Sequence, residues 1–369
     1  MTTRPLYVHV GASKTGTSAL QAGLWESKRF LRRSGIGLPF VGRPAHVRRL
    51  LRPLGWTMGT GFDRPPKPQV LRELASRLRD TPGDRLLVSN EDLCELDTPR
   101  IDLVRELAEA ADLDLRVVVS ARDWAKQLPS EWQQFLKHRL TTDYDSFLEQ
   151  VRRREGAAAE HYWQRQDVAG ICARWATGLD PADVHVIAVP PMSADADGVF
   201  RLFGEAVGFD ATRLTLPTHH VNASFGYVEA EVLRRLNSSL GDRLPDYELD
   251  YVPAVRNVLV RGVLAREASA KITLPPEHLA WVRDLGQQHL EALRSGGYTL
   301  HGDPRYLVAG EDAATALPSL DPDAVADAAV ETLASFAVRM HQRGRGKGQR
   351  GPGGQRGPGA QQSARRGNA

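Results

Sequence analysis

Residues 6–24 have the sequence LYVHVGASKTGTSALQAGL. A short apolar run is followed directly by a loop rich in Gly, Ser, Thr and Lys, and then by a helical pattern. In such an arrangement a buried strand leads into a turn, and the backbone N–H groups of the turn and of the helix N-terminus point toward an anion. The segment therefore predicts a phosphate-binding loop in an α/β protein.

The position of the lysine in this loop differs from that in a nucleoside triphosphate-binding loop. The usual pattern is G-x-x-x-x-G-K-[ST], with the lysine directly after the second glycine. Here Gly11 and Gly16 have the usual separation, but Thr17 occupies the lysine position and the cation is Lys14. The loop can still surround a phosphate, with its cation approaching from another side. Taken alone, the motif leaves a Gly/Thr turn that merely opens a helix as an equal alternative.

A second apolar, β-branched run, LRVVVS at residues 115–120, predicts another buried parallel strand. Arg122 follows it, and Ser130 comes eight positions later in a helical pattern. A guanidinium with a neutral donor suits a dianionic phosphate. The alternatives are an Arg122 that pairs with a nearby carboxylate and a Ser130 that merely lies at a helix start beside Pro129.

The two motifs together resemble those of sulfotransferases that use 3′-phosphoadenosine 5′-phosphosulfate (PAPS), in that family's order and each directly after a strand. The chain is similar to the bacterial branch over about residues 6–240, including the segments 86–93, 120–138, 182–191 and 222–237. The resemblance implies a P-loop-like fold, PAPS as co-substrate and adenosine 3′,5′-bisphosphate (PAP) as product. It also implies in-line transfer of a sulfuryl group to a hydroxyl or amine.

Site residues carried over from this resemblance fall into two groups. In the family, the loop lysine contacts the oxygen that bridges phosphate and sulfate, and the residues after it hold the 5′-phosphate. The matching positions here are Lys14, Thr15, Gly16, Thr17 and Ser18. An Arg and a Ser hold the 3′-phosphate, and the matching positions are Arg122 and Ser130. The R-K-G loop of the eukaryotic cytosolic branch has no clear counterpart, and Asn222 and Ser224 are only weak substitutes.

Two residues are candidates for the base that takes the acceptor's proton. Glu91 follows the predicted strand 85–89, where related enzymes place a catalytic His or Glu, and shielding from water can raise a carboxyl pKa toward neutrality. Its alternative role is to accept hydrogen bonds from the adjoining turn or to cap a helix. His46 lies in the loop region after the first helix, and its alternative is a solvated loop histidine. We expect His9, inside the first strand, to make a core hydrogen bond, and nothing decides the roles of His219 and His220.

The pattern along the chain alternates strands and helices up to about residue 217. Strands are expected at 6–10, 85–89, 115–120 and 184–189, with helices at 17–33, 69–79, 101–111, 124–136, 144–154, 162–177 and 198–207. Helices dominate afterwards, at 227–240, 255–267, 276–295 and 323–342, while residues 34–66 are expected to form loops. This alternation predicts a parallel β-sheet flanked by helices, with ligands at the carboxyl ends of the strands. We expect an α/β core at 1–240, a helical extension packed on it at 241–342, and a disordered tail at 343–369.

Charge is distributed unevenly between the body and the tail. The 369 residues carry a formal net charge of +3, but residues 343–369 hold seven Lys or Arg and no Asp or Glu, which leaves −4 for the rest. The Gly/Pro/Gln/Arg tail has too few apolar groups to offset the entropy of ordering. RG repeats can contact RNA, but the absence of aromatic residues favours a solvated tail, so nucleic acid is not an expected partner.

Composition excludes several classes of protein. Two cysteines, Cys94 and Cys172, give no disulfide framework, which favours a reducing, cytoplasmic environment. No apolar run reaches the ~18 residues that span a bilayer, and no spacing of His and Cys predicts a metal site. Possible acceptor-site residues are Trp132, Gln133, Lys137 and residues 161–163. For each of them, helix packing or a position on a solvated face is the favoured interpretation. The acceptor, a small molecule, glycan or lipid, and the oligomeric state are not determined by the sequence.

Two alternative functions stay open at this point. One is an ATP- and magnesium-dependent kinase with an atypical loop, which the position of Lys14 disfavours. The other is a non-catalytic protein that binds a nucleotide, or RNA through the tail.

Overall fold

Six parallel strands form one sheet in the computed structural model, which describes residues 3–58, 60–215, 225–264 and 269–348. The strands are β1 Arg4–His9, β2 Ile36–Gly37, β3 Arg85–Ser89, β4 Leu113–Ala121, β5 Val184–Ala188 and β6 Thr299–His301. Their spatial order is β2-β3-β1-β4-β5-β6, and every neighbouring pair is parallel. The predicted fold class, a parallel sheet flanked by helices, is confirmed.

Thirteen α-helices lie in the described part of the chain. They are α1 Thr17–Glu26, α2 Lys28–Arg33, α3 Arg43–His46, α4 Pro68–Asp80, α5 Thr98–Ala110, α6 Trp124–Leu136, α7 Tyr144–Arg153, α8 Gly156–Gln166, α9 Val168–Ala176, α10 Gly198–Val207, α11 Tyr227–Leu240, α12 Leu279–Ser295 and α13 Pro322–Gly348. π-Helical turns occupy Val47–Leu51 and Tyr247–Val260. None of the described helices combines the length and apolar character that a bilayer crossing requires.

Successive side chains of the central strands point to opposite faces of the sheet, and both faces are buried. In β1, Leu6 and Val8 join a core with residues of α4, α5 and α9, while Tyr7 joins another core with residues of α1 and α10. A third core holds α6, α7 and α11 together with the later part of the chain. Burial on both faces explains why the central strands have almost continuous apolar sequences.

Several predicted elements differ from the structure. The predicted loop region 34–66 contains β2, α3 and a π-helical segment, and β6 lies where only helices were expected. Both strands are too short, at two and three residues, to show a period-2 pattern. The predicted helix 162–177 is interrupted because the Asp167 carboxylate accepts a hydrogen bond from the N–H of Gly170 (3.0 Å) and so starts a new helix.

The later half of the chain shows two further differences. The predicted helix 255–267 is replaced by π-helical turns that begin earlier and contain Pro253, which supplies no backbone N–H; residues 265–268 lie outside the described part. Helix α13 continues to Gly348, six residues into the predicted tail, and residues 349–369 also lie outside it. The sixth strand of the sheet comes from the segment 241–342, and the domain boundary at 240 stays a prediction.

The strand order places a topological switch point beside β1. From β1 the chain goes to β2 and β3 on one side of the sheet, and it then crosses to β4 on the other side. Ligands of open α/β sheets bind at such a point, outside the carboxyl ends of the strands. The loop after β1 and the residues that follow β4 are therefore the first place to look for a site.

Candidate active site

The loop after β1 is held against β4 and turns sharply into α1. Backbone N–H groups of Val10 and Ala12 donate to the carbonyls of Val118 and Ser120, each at 2.9 Å. The Thr15 hydroxyl donates to the Ala12 carbonyl at 2.7 Å and closes the turn. Three residues of the loop, Gly11, Lys14 and Gly16, have positive φ angles.

Those left-handed positions explain the residue types in the loop. Gly16 has a φ of 89° and directly precedes α1, where a side chain would strain the backbone. Lys14 has a φ of 65°, which is uncommon for a residue other than glycine, and such outliers cluster at functional sites. The loop is therefore compact, with Lys14 at its tip.

Lys14 lies among charged groups of both signs. Its Nζ donates to Oε1 of Gln134 on α6 at 3.1 Å, and its side chain is half-buried. Burial lowers the pKa of Lys14, the nearby Glu131 and Glu91 carboxylates raise it, and Arg122 lowers it again. Lys14 is thus close enough to Arg122, Glu91 and Glu131 for each to act on its charge.

Arg122 lies after β4 and is held by the first turns of α6. Its Nη2 donates to Oε1 of Gln127 at 2.9 Å and to the Lys126 carbonyl at 3.2 Å, and it approaches Oγ of Ser130 at 3.5 Å. Its Nε is buried and has no hydrogen-bond partner among the described residues. Burial lowers the pKa of Arg122, and Asp123 opposes that shift. A buried donor without a partner is costly, which suits a group that binds an anion.

Ser130 and Thr17, two of the predicted donor contacts, have partners within the protein. The Ser130 hydroxyl donates to the Lys126 carbonyl at 2.8 Å, one turn earlier in α6. The Thr17 hydroxyl donates to Oε2 of Glu91 at 2.8 Å, and Nε2 of Gln21 reaches the same oxygen at 3.2 Å. Glu91 is thereby oriented by two residues of α1, and it lies beside the loop as the sequence predicts. Ser18, at the start of the same helix, is half-buried.

His46 lies apart from this group. It is buried at the end of α3, its Nδ1 lies 3.2 Å from the Gly42 carbonyl oxygen, and its ring packs against those of Trp25 and Phe40 at 5.5 and 5.6 Å. Burial lowers the pKa of His46. These contacts correct the expectation of a loop histidine and favour a packing role over that of a base.

Glu131 is the prominent residue of the site that sequence reasoning missed. It is fully buried in α6; its Oε1 accepts hydrogen bonds from the Ser13 hydroxyl and from Nε2 of Gln166, and its Oε2 has no partner among the described residues. Burial raises the pKa of Glu131, and Lys14 opposes that shift. One feature of the sequence could have revealed it: Leu128 and Trp132 place residue 131 on the buried face of α6.

A buried network of amides holds Glu131 beneath the loop. Nε2 of Gln127 donates to the Ser13 carbonyl at 2.7 Å and to Oε1 of Gln166 at 2.9 Å. Nε2 of Gln166 also donates to Oγ of Ser13 at 2.8 Å. The network connects α6, α8 and the residue directly before Lys14, so it fixes the position of the loop.

Most of the other residues considered in the sequence serve packing. Trp132, Tyr162 and Trp163 are buried in the core around α6. His9 bridges β3 and β4 through the hydroxyls of Ser89 (2.8 Å) and Ser120 (2.9 Å), which confirms the expected core hydrogen bond. His219, His220, Asn222 and Ser224 lie outside the described residues.

Cysteine chemistry and metal binding have no geometric basis in the described residues. Cys94 and Cys172 are both buried and unpaired, and burial raises the pKa of the Cys94 thiol to about 12. No three His, Cys, Asp or Glu side chains of the described residues come close enough to hold a metal ion.

The chain is similar in structure to a known sulfotransferase, at low sequence identity. No protein-family model matches the chain, and no curated protein matches it. Among solved structures, the crystal structure of a sulfotransferase from Alicyclobacillus acidocaldarius aligns with 66% of this chain and 96% of its own, at 14% identity and a TM-score of 0.39. Similarity this low identifies no site residues, so the functional interpretation depends on the geometry of this chain.

Proposed function

We propose that the protein is a sulfotransferase that moves a sulfuryl group from PAPS to a hydroxyl or amine by in-line displacement. The observation that supports this most is the placement of two cations at the switch point of the sheet. Lys14 follows β1, Arg122 follows the adjacent β4, and Arg122 is close enough to lower the pKa of Lys14. Two cations at one edge match a donor that carries phosphates at both ends.

The residues present fit such a donor. Its 5′-phosphosulfate would be held by Lys14, Thr15, Gly16, Thr17 and Ser18. Backbone N–H groups at the start of α1 would bind the same anion as the lysine. Arg122 and Ser130 would hold its 3′-phosphate. The buried Nε of Arg122, which has no partner among the described residues, is an available donor for that phosphate.

Lys14 has the central chemical role in this proposal. When bound, PAPS supplies an activated sulfuryl group whose transfer leaves negative charge on a phosphate oxygen. Protonated Lys14 offers a fixed cation for that charge, and a preorganised donor of this kind typically contributes about 100- to 1,000-fold to turnover. Because burial lowers the pKa of Lys14, the neighbouring carboxylates Glu91 and Glu131 help to keep it charged.

Glu91 is the preferred candidate for the base. Its carboxylate is half-buried, lies beside Lys14, and is oriented by hydrogen bonds from Thr17 and Gln21. It would accept the proton that the acceptor hydroxyl or amine loses. His46, the other predicted candidate, would need to leave its aromatic surroundings to do so.

Kinase chemistry is less compatible with this site. Kinases of the P-loop type place a lysine against the β- and γ-phosphates and use magnesium held by a Ser or Thr and an Asp. Here Thr17, the residue after the second glycine, donates instead to Glu91. A binding role for the basic tail concerns residues 343–369, of which 349–369 lie outside the described part.

Nucleotide binding tests the proposal directly. Thermal denaturation should shift upward with PAP in the absence of magnesium, whereas stabilisation by ATP only with magnesium would support a kinase. Turnover of labelled PAPS should fall about 100- to 1,000-fold in Lys14→Ala because the fixed cation is lost. Near wild-type turnover in that variant, with the same fold by circular dichroism, would remove Lys14 from the mechanism.

A further inference from the structure

Beyond the predicted donor contacts, a second group of cations lies near Lys14. It consists of Arg43, Lys137, Arg256 and Arg261, here called the basic cluster. Arg256 and Arg261 are close enough to Lys137, and Arg43 to Arg261, to act on each other's charge. The charge of Arg256 also lowers the pKa of Lys14. Arg43 and Arg261 are exposed, so an anion in solvent can reach the cluster, where it would reduce the repulsion between the cations.

A chain of hydrogen bonds connects Lys14 to this cluster. Gln134 accepts from Nζ of Lys14 at 3.1 Å, and its Nε2 lies 2.9 Å from Nε2 of His138. Nδ1 of His138 lies 2.8 Å from the Tyr247 hydroxyl, which accepts from Nη1 of Arg256 at 3.2 Å. The His138 and Tyr247 rings stack with centroids 5.4 Å apart. The cluster is therefore structurally continuous with the proposed transfer site.

The members of the basic cluster form no salt bridge within the described part of the chain. Within the described part of the chain, none of its four members lies within 4 Å of an acidic side chain; Lys137 lies over the Phe225 ring, 5.0 Å from its centroid. The charge of Glu131 acts on Lys137 in the direction opposite to that of the surrounding cations. Burial and the surrounding cations lower the pKa of Lys137 to about 7.

The direction of α6 separates this cluster from the donor's 3′-phosphate residues. Ser130 and Gln134 lie one turn apart on α6, roughly 6 Å along its axis, and His138 lies two residues past the end of the helix. Arg122 contacts Ser130, Lys14 contacts Gln134, and the chain toward Arg256 begins at His138. In this series of contacts Arg122 comes before Lys14 and the basic cluster comes after it.

We propose that the basic cluster is an acceptor subsite for an anionic group, so that the substrate is a hydroxyl or amine compound carrying a carboxylate, phosphate or sulfate. This inference rests on the proposed sulfotransferase function and narrows its acceptor class. Arg261 and Lys137 supply charge at the subsite, and Arg256 connects it to Lys14 through Tyr247. Charged donors of this kind suit a planar carboxylate as well as a tetrahedral anion.

The test measures the binding of a second anion to protein that is already saturated with PAP. Isothermal titration with inorganic phosphate, sulfate and acetate, at constant ionic strength set with sodium chloride, should detect binding of at least one anion. Arg261→Gln and Lys137→Gln should each weaken that binding roughly 10-fold, the scale of one charge-assisted hydrogen bond. Tighter phosphate or sulfate binding identifies an ester acceptor, and tighter acetate binding identifies a carboxylate.

Two controls separate the possible failures. Arg294→Gln removes an exposed arginine of α12 outside the cluster and should change nothing; the cluster variants should keep wild-type affinity for PAP. PAP-loaded protein that binds none of the three anions overturns the subsite while leaving the sulfotransferase proposal intact. Cluster variants that lose PAP affinity would assign the cluster to the donor instead, and failure of the wild type to bind PAP would refute both proposals.

Discussion

Lys14 shows how single residues in this site depend on one another. Burial disfavours its charge, Arg122 adds to that effect, and the Glu131 and Glu91 carboxylates oppose it. The protonated fraction of Lys14 is therefore set by buried neighbours as well as by solvent pH. If Lys14 must carry a proton during transfer, activity at alkaline pH becomes sensitive to Glu131.

Glu131→Gln tests this coupling. The substitution preserves shape but removes a negative charge that raises the pKa of Lys14, so that pKa should fall and Lys14 should deprotonate at lower pH. We expect the alkaline limb of the kcat profile to move to lower pH. A purely structural role for Glu131 would reduce stability or kcat without moving that limb.

Glu231→Gln is the matched control for this experiment. Glu231 is also a buried glutamate in a helix, but it pairs with Arg234 and Arg235 on α11. Its substitution should leave the pH profile in place. An equal shift in both variants would show that the change reflects general loosening of the fold.

The sequence allowed part of the site to be predicted. Lys14 lies in the loop after β1 and Arg122 directly follows β4, and residues near strand ends can be placed from the strand pattern alone. Glu131 could not be recognised in the same way because its partners, Ser13 and Gln166, are distant in sequence. The sequence predicts a loop at His46 because α3, which ends at this residue, has only four residues and shows no periodic pattern.

The contact of strand β6 with β5 can be tested through two histidines. Strand β6 joins β5 through three residue pairs, in which His185 is opposite Thr299 and His301 is opposite Ile187. The two histidine rings still meet, with His185 Nδ1 3.0 Å from His301 Nε2. Burial lowers the pKa of His185 to about 4, with contributions from His301 and Arg116, and burial also lowers that of His301. Protonation of either ring is therefore less favourable in the folded protein than in the unfolded chain.

The stability of the protein should fall as pH decreases from about 6.5 toward 4. In that window the unfolded chain binds more protons than the folded protein, so the free energy of unfolding decreases with acidification. His301→Asn removes one of the two titrating rings and should flatten this part of the curve, measured by urea denaturation. His341→Asn, at an exposed position of α13, is the control; an equal flattening there would contradict the assignment.

Longer elements were predictable and shorter ones were not. The strand 85–89 and the helices 198–207 and 227–240 have the bounds expected from hydrophobic periodicity. β2 and β6 are set by pairing with β3 and β5 rather than by their own sequences. Local sequence patterns do not show which strands pair in the folded protein.

At the scale of the molecule, a mildly acidic body presents cations at one edge of its sheet. The formal net charge is −4 outside residues 343–369. Lys14 nevertheless lies close enough to Arg122, and to Lys137 and Arg256 of the basic cluster, for their charges to act on one another. The class of fold followed from the alternation of strands and helices. The strand order did not, because it depends on which strands pair, and that order places Lys14 and Arg122 on neighbouring strands.

The central claim is that Lys14 and Arg122 hold opposite ends of one bisphosphorylated adenosine. Its most direct test compares the dissociation constants of PAP and adenosine 5′-phosphate, without magnesium, in the wild type and in Arg122→Ala. The wild type should prefer PAP roughly 10- to 100-fold, as expected for charge-assisted hydrogen bonds to the 3′-phosphate. Arg122→Ala should lose most of that preference while binding adenosine 5′-phosphate with little change. A preference for PAP that survives in Arg122→Ala would contradict the account.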